Sequence, residues 1–159
     1  MTPFSKKMAM VILTVAIIIA GCKKPDDSNP SQTALLTTGS WKLTSLISDP
    51  AEDWDRDGIP DREVMQIFQE CLTDNILTFR ADGGLVNDEG ASKCYGVQLQ
   101  TEITHWSFFN DGTKIIMAKA GSLDTVELLE LSRTVLKIKG PFGQGGGGLT
   151  VILTQTYGH

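Results

Sequence analysis

From Trp41 onward the chain never runs far without a turn. Stretches of six to nine residues that largely alternate apolar and polar side chains are separated by clusters of Gly, Asn and Asp. A strand shows its side chains to opposite faces in turn, and glycine supplies the positive φ of tight hairpins. This rhythm therefore predicts short antiparallel strands joined by hairpins, and it leaves no room for long helices. "WKLTSLIS" sets Trp41, Leu43, Ser45 and Ile47 on one face, with Lys42, Thr44, Leu46 and Ser48 on the other. "NILTFR" groups Leu77 with Phe79 before the turn Ala81-Asp82-Gly83-Gly84. "THWSFF" runs into Asn110-Asp111-Gly112 and then "TKIIMAKA".

"DTVELLELS" changes phase between Leu128 and Leu129, which predicts a bulge or a strand buried on both faces. "TVLKIKG" and "LTVILTQTY" complete the set. The glycine-rich stretch between them, residues 143–148, lacks a GK[ST] ending and a following helix. It reads as a hairpin connection and not as a phosphate loop. One segment breaks the pattern: "DREVMQIFQECL" spaces Val64, Ile67, Phe68 and Cys71 as on a helix, with Asp61 as N-cap. The expectation is an all-β chain of about eight strands, a small barrel or sandwich. One short helix, over Arg62–Glu70, lies between its first and second strands.

The N-terminus says where such a domain works. "MTPFSKKMAMVILTVAIIIAGC" combines Lys6 and Lys7, an apolar run from Met8 to Ile19, small residues and a cysteine. The run is short for a membrane span and has the layout of a secretory signal peptide. The alternative is an anchor that stays uncut. Ile19-Ala20-Gly21-Cys22 favours cleavage, because it resembles the lipobox of bacterial lipoproteins, in which the cysteine is acylated and the bond before it is cut. Residues 1–21 are then signal peptide, residues 22–34 a lipidated cysteine with a Pro- and Ser-containing tether, and residues 35–159 the folded domain. Two or three acyl chains on Cys22 suffice for stable membrane attachment. Lys23 follows the cysteine where aspartate would resemble an inner-membrane retention signal, and Asp26-Asp27 resembles the acidic surface-export signals of some Gram-negative lipoproteins. The resemblance implies the outer membrane and leaves open which side the domain faces.

Removing residues 1–21 from the 159 takes away two lysines and no acids, so the formal charge moves from −5 to −7. An acidic domain does not neutralise phosphates, which excludes nucleic acid as the natural partner. The chain shows no internal repeat.

Gly39-Ser40-Trp41, at the head of the first strand, matches the Gly-x-Trp signature of lipocalins. The runs "CLTDNILTFRADGGLVNDEGASKC" and "HWSFFNDGTKI" resemble the lipocalin-like domains of bacterial lipoproteins, and the resemblance covers about Leu35 to Tyr157. It implies an up-and-down antiparallel barrel, often with a central cavity for a small apolar ligand. One departure is plain: lipocalins usually carry an arginine near the end of the last strand, over the tryptophan, whereas this chain reads Tyr157-Gly158-His159.

With Cys22 taking lipid, Cys71 and Cys94 form an even pair in an oxidising compartment and predict a disulfide. The alternative, a reactive thiol, has no nearby histidine in sequence. "DWDRDGIPD" spaces Asp53, Asp55, Asp57 and Asp61 at positions 1, 3, 5 and 9 of a calcium loop, with Gly58 at the bend and the Ile59 carbonyl at 7. Position 12 holds Val64 in place of the bidentate Glu of an EF-hand. A structural Ca2+ and an acidic turn capping the next helix both remain open.

Catalysis finds little support. Ser40, Ser107 and Ser122 lack a Gly-x-Ser-x-Gly context, and His105 sits beside Trp106 on an apolar strand, where a packed histidine is the ordinary reading. The leading expectation is a non-enzymatic lipoprotein on the outer membrane, binding a small apolar or amphipathic ligand. Trp41, Leu43, Leu77, Phe79, Trp106 and Phe108 are the candidate lining. The same residues also fit a solid core. A structural lipoprotein that docks an envelope protein is the rival.

Overall fold

The computed structural model describes residues 30–96, 99–119, 122–144 and 150–159. A short helix, α1 (Gln32–Leu36), opens the domain, with the Ser31 hydroxyl accepting from the Ala34 amide at 3.1 Å as its cap. The boundary expected at residue 35 thus falls inside α1. The strands are β1 (Ser40–Glu52), β2 (Asp61–Glu63), β3 (Ile76–Phe79), β4 (Gly84–Asp88), β5 (Thr101–Phe109), β6 (Lys114–Lys119), β7 (Ser122–Leu131), β8 (Val135–Gln144) and β9 (Thr150–Gly158). A second short helix, α2 (Glu70–Thr73), precedes β3.

From β3 to β9 each strand pairs antiparallel with the next, and β1 pairs with both β3 and β9. The ring is closed. Eight strands make an up-and-down barrel, as the resemblance implies, and the three-residue β2 is added to the upper half of β1. Closure leaves no sheet edge among the eight to template aggregation.

The turns follow their sequence signals. Gly83 takes φ +86°, and Asn110, Asp111 and Gly112 all take positive φ. The phase change in "DTVELLELS" is a bulge: the β7–β8 register shifts between Leu128 and Glu130. Leu129 is left facing solvent while Val126, Leu128 and Leu131 join the core.

Two expectations are corrected. The alternation of β1 is not constant, because its register against β9 shifts between Leu43 and Ser45. One extra residue there moves Leu46 and Ser48 to the inside, and Ser45 and Ile47 face out. The helix expected over Arg62–Glu70 is also not a helix: Asp61–Glu63 is extended, a turn follows, and only Glu70–Thr73 is helical. Asp61 does not cap it; its carboxylate accepts from the Trp54 amide at 3.0 Å. The apolar spacing was a record of burial, since Val64 and Cys71 are buried and Ile67 and Phe68 half-buried. An irregular segment laid across an apolar surface produces the same spacing.

The barrel has a closed end and an open end. At the closed end α1 buries Leu36, whose carbonyl accepts from the Trp41 indole at 2.9 Å. The His159 ring lies 4.1 Å from the Trp41 ring, and its Nδ1 is 2.8 Å from the Ser40 carbonyl. His159 therefore covers the tryptophan where the resemblance calls for an arginine. Above this plug, Phe79, Trp106 and Phe108 stack edge to face at 5.5 and 5.3 Å. Such contacts add roughly 0.5–1.5 kcal/mol each beyond burial. The Trp106 indole donates to the Arg80 carbonyl at 3.0 Å, so no polar group is stranded there.

Candidate functional site beneath a lid

The open end is covered by the long connection between β1 and β3, which is built as a lid. Its first anchor is Glu63. The Glu63 carboxylate accepts from the Ser45 hydroxyl at 2.9 Å and from the Leu46 and Met65 amides at 3.2 Å. It takes the place of a neighbouring strand where β3 has ended. The Val64 amide then donates to the Leu46 carbonyl at 2.9 Å. The second anchor is Trp54, whose indole donates to the hydroxyl of fully buried Ser48 at 3.1 Å; that hydroxyl donates in turn to the Pro50 carbonyl at 2.8 Å. Trp54, Phe68 and Phe142 pack as three mutually touching rings, with centroids 5.2, 5.4 and 6.2 Å apart.

Under the lid lies a cavity of about 130 Å³. Leu43 and Leu46 of β1 and Leu153, Gln155 and Tyr157 of β9 form its floor, and Phe68, Leu72 and Phe142 its roof. The floor residues meet across the sheet, since Leu43 pairs with Tyr157 and Leu46 with Gln155. The Tyr157 hydroxyl donates to Gln155 Oε1 at 2.5 Å, and burial pushes the tyrosine pKa far above its ordinary value of 10.0. Outside the same roof is a groove of about 530 Å³, lined by Trp54, Ile67, Gln69, Cys94 and Tyr95 as well as Phe68 and Leu72. Among the described residues, two side chains, Phe68 and Leu72, line both spaces.

The disulfide forms between Cys71 and Cys94, with Cα atoms 5.2 Å apart. It ties the lid to the segment after β4. Of the six residues expected to line a cavity, Leu43 does so, while Trp41, Leu77, Phe79, Trp106 and Phe108 are packed in the core nearer the closed end. Leu46, Phe68, Leu72, Phe142, Leu153, Gln155 and Tyr157 were missed. A signal for three of them was present: "LTVILTQTY" puts Val151, Leu153, Gln155 and Tyr157 on one face, and a glutamine in an inward apolar row marks a polar spot.

No family model matches the chain, and no curated protein matches it. Solved structures of similar chain path include those of bovine odorant binding protein. A deswapped triple mutant is 16% identical over 81% of this chain and 74% of that one, with a TM-score of 0.45. The complex with a selenium-containing odorant is 14% identical over 85% and 76%, at 0.46. The complex with undecanal is 16% identical over 84% and 76%, at 0.44. The assignment of the barrel rests on this chain's own strand order and closure.

The acidic stretch forms a coiled loop between β1 and β2. Asp53 Oδ2 accepts from the Gly58 amide at 3.1 Å, Asp55 Oδ1 from Asp57 at 3.1 Å and Asp57 Oδ1 from Ile59 at 2.8 Å. Arg56 and Gly58 take positive φ. One carboxylate oxygen each from Asp53, Asp55 and Asp61 lies within 4.8 Å of the others, and Asp57 stands outside this group. Three hard oxygen donors so close suit a hard cation such as Ca2+. His105 faces solvent on the outer side of β5 and is not packed inside; His159 is engaged with Trp41. Cys22 lies outside the described residues.

Proposed function

We propose that this protein is a non-enzymatic binding lipoprotein, attached to the bacterial outer membrane through lipid on Cys22, that holds a small apolar ligand under its lid. The cavity between the β1–β9 floor and the Phe68–Leu72–Phe142 roof carries this reading. Its size is near that of apolar protein cavities that stay dry and admit a benzene-sized guest, ~150 Å³. The lipobox sequence supports the anchor. A native mass spectrum of residues 23–159, secreted to the periplasm, tests the ligand: a retained organic adduct is expected. A bare mass together with a stable complex with an envelope protein would replace the carrier by a docking module with a solid core. Incorporation of labelled palmitate that disappears in Cys22→Ser tests the anchor.

A second reading concerns the acidic loop, where the closeness of Asp53, Asp55 and Asp61 favours a structural Ca2+. Millimolar calcium is expected to raise the Tm of the wild type and to leave that of an Asp55→Asn, Asp57→Asn variant unmoved. Equal responses would reduce the loop to a polar turn.

A further inference from the structure

The cavity is apolar apart from one pair of side chains. Six of its eight lining residues are Leu or Phe, and the two polar ones, Gln155 and Tyr157, are bonded to each other. That bond orients the glutamine. The Tyr157 hydroxyl occupies Gln155 Oε1, so the other end of the amide, Nε2 with its two N–H donors, is left for the space beside it. The tyrosine hydroxyl is the donor in this bond. Among the described residues, no Lys, Arg or His lines the cavity. A carboxylate guest would therefore lose its hydration without gaining a counter-charge.

We infer that the cavity selects a neutral, compact apolar molecule carrying one accepting oxygen, a carbonyl, ether or hydroxyl, which the Gln155 amide holds. This inference rests on the carrier reading above and narrows it to a chemical class. The guest's hydrocarbon body fills the leucine floor beneath Phe68 and Phe142, and its oxygen lies toward β9. Phe68 and Leu72 line both this cavity and the outer groove.

Cyclohexanone and methylenecyclohexane have the same shape and differ in one accepting oxygen. Their dissociation constants are measured by NMR titration of residues 23–159 and of the Gln155→Leu variant, which keeps the volume and removes the amide. The substitution is expected to weaken the ketone roughly tenfold relative to the alkene. An unchanged ratio overturns the inference and leaves the carrier reading standing, because both guests still bind. Saturable binding of neither guest to the wild type overturns both. Should Gln155→Leu fail to fold, the wild-type Gln155 side-chain amide signals decide. Movement with ketone and not with alkene supports the hydrogen bond, and equal movement refutes it.

Discussion

His159 and Gly39 share one small space against Trp41. A Cβ on Gly39 would stand 2.9 Å from the His159 ring, closer than carbon atoms tolerate. Gly39→Ala is therefore expected to push the ring off the tryptophan and cost about 1–3 kcal/mol in chemical denaturation. In a His159→Ala background the same change should cost little, and that non-additivity separates a steric cause from a backbone one. Asp88 offers a second test at this scale. Its Oδ1 accepts from the Gln100 amide at 2.7 Å and from the Gly90 amide at 2.9 Å, and the Gln100 bond chiefly holds its pKa below the ordinary 3.8. A depressed folded-state pKa gives stability that is present above 3.8 and is lost as pH falls through the lower folded value. Asp88→Asn should flatten that part of a Tm-against-pH curve by lowering Tm slightly at neutral pH, and leave the acid end unaffected, where the carboxyl is already protonated. The side chain is on the surface, so the effect is small.

At the scale of elements the lid covers the open end, and Glu63 is its clasp. Glu63→Ala removes the acceptor of two backbone amides and a hydroxyl. Hydrogen exchange at Leu46 and Met65 should speed up, while strands β5 to β8 keep their protection. Reduction of Cys71–Cys94, which closes a loop with a sequence separation of 23, should cost about 3 kcal/mol and loosen the same region. These elements were only partly legible from sequence. The Ala81–Gly84 and Asn110–Gly112 turns could be read because positive φ demands particular residues. The β1 bulge could not, since nothing in "LTSL" marks the extra residue; the shift is imposed by pairing with β9. The lid's Val64, Ile67, Phe68 and Cys71 revealed burial but not backbone, because helical spacing is one of several ways to meet an apolar surface.

Across the whole molecule, one buried cluster fills the barrel around Trp41 and a second, Leu46, Val64, Val151 and Leu153, lies beneath the lid. Trp41 and Leu36 are fully buried, Phe79 nearly so, whereas Leu72, Tyr95, Leu99, Ile103 and Leu123 are exposed on lid or loop segments and at the open-end starts of β5 and β7. The barrel itself was legible, as strand rhythm and hairpin signals suffice for it. The cavity lining was not: inward residues are identified by alternation, but whether they meet a void depends on depth along the barrel axis. Leu43 and Trp41 are two places apart on one strand, and one lines the cavity while the other plugs the base. Deleting residues 22–36 should therefore uncover Trp41, red-shift its fluorescence and lower Tm, with the disulfide still formed.

The position of α1 also gives the molecule a front and a back. If lipid is carried on Cys22, the tether joins the barrel at the plugged base, and residues 23–31 reach about 30 Å when fully extended. The tether then leaves the barrel at the end opposite the lid. An anchor attached there would leave the mouth of the barrel clear of the anchoring segment, whichever way the domain turns on its tether.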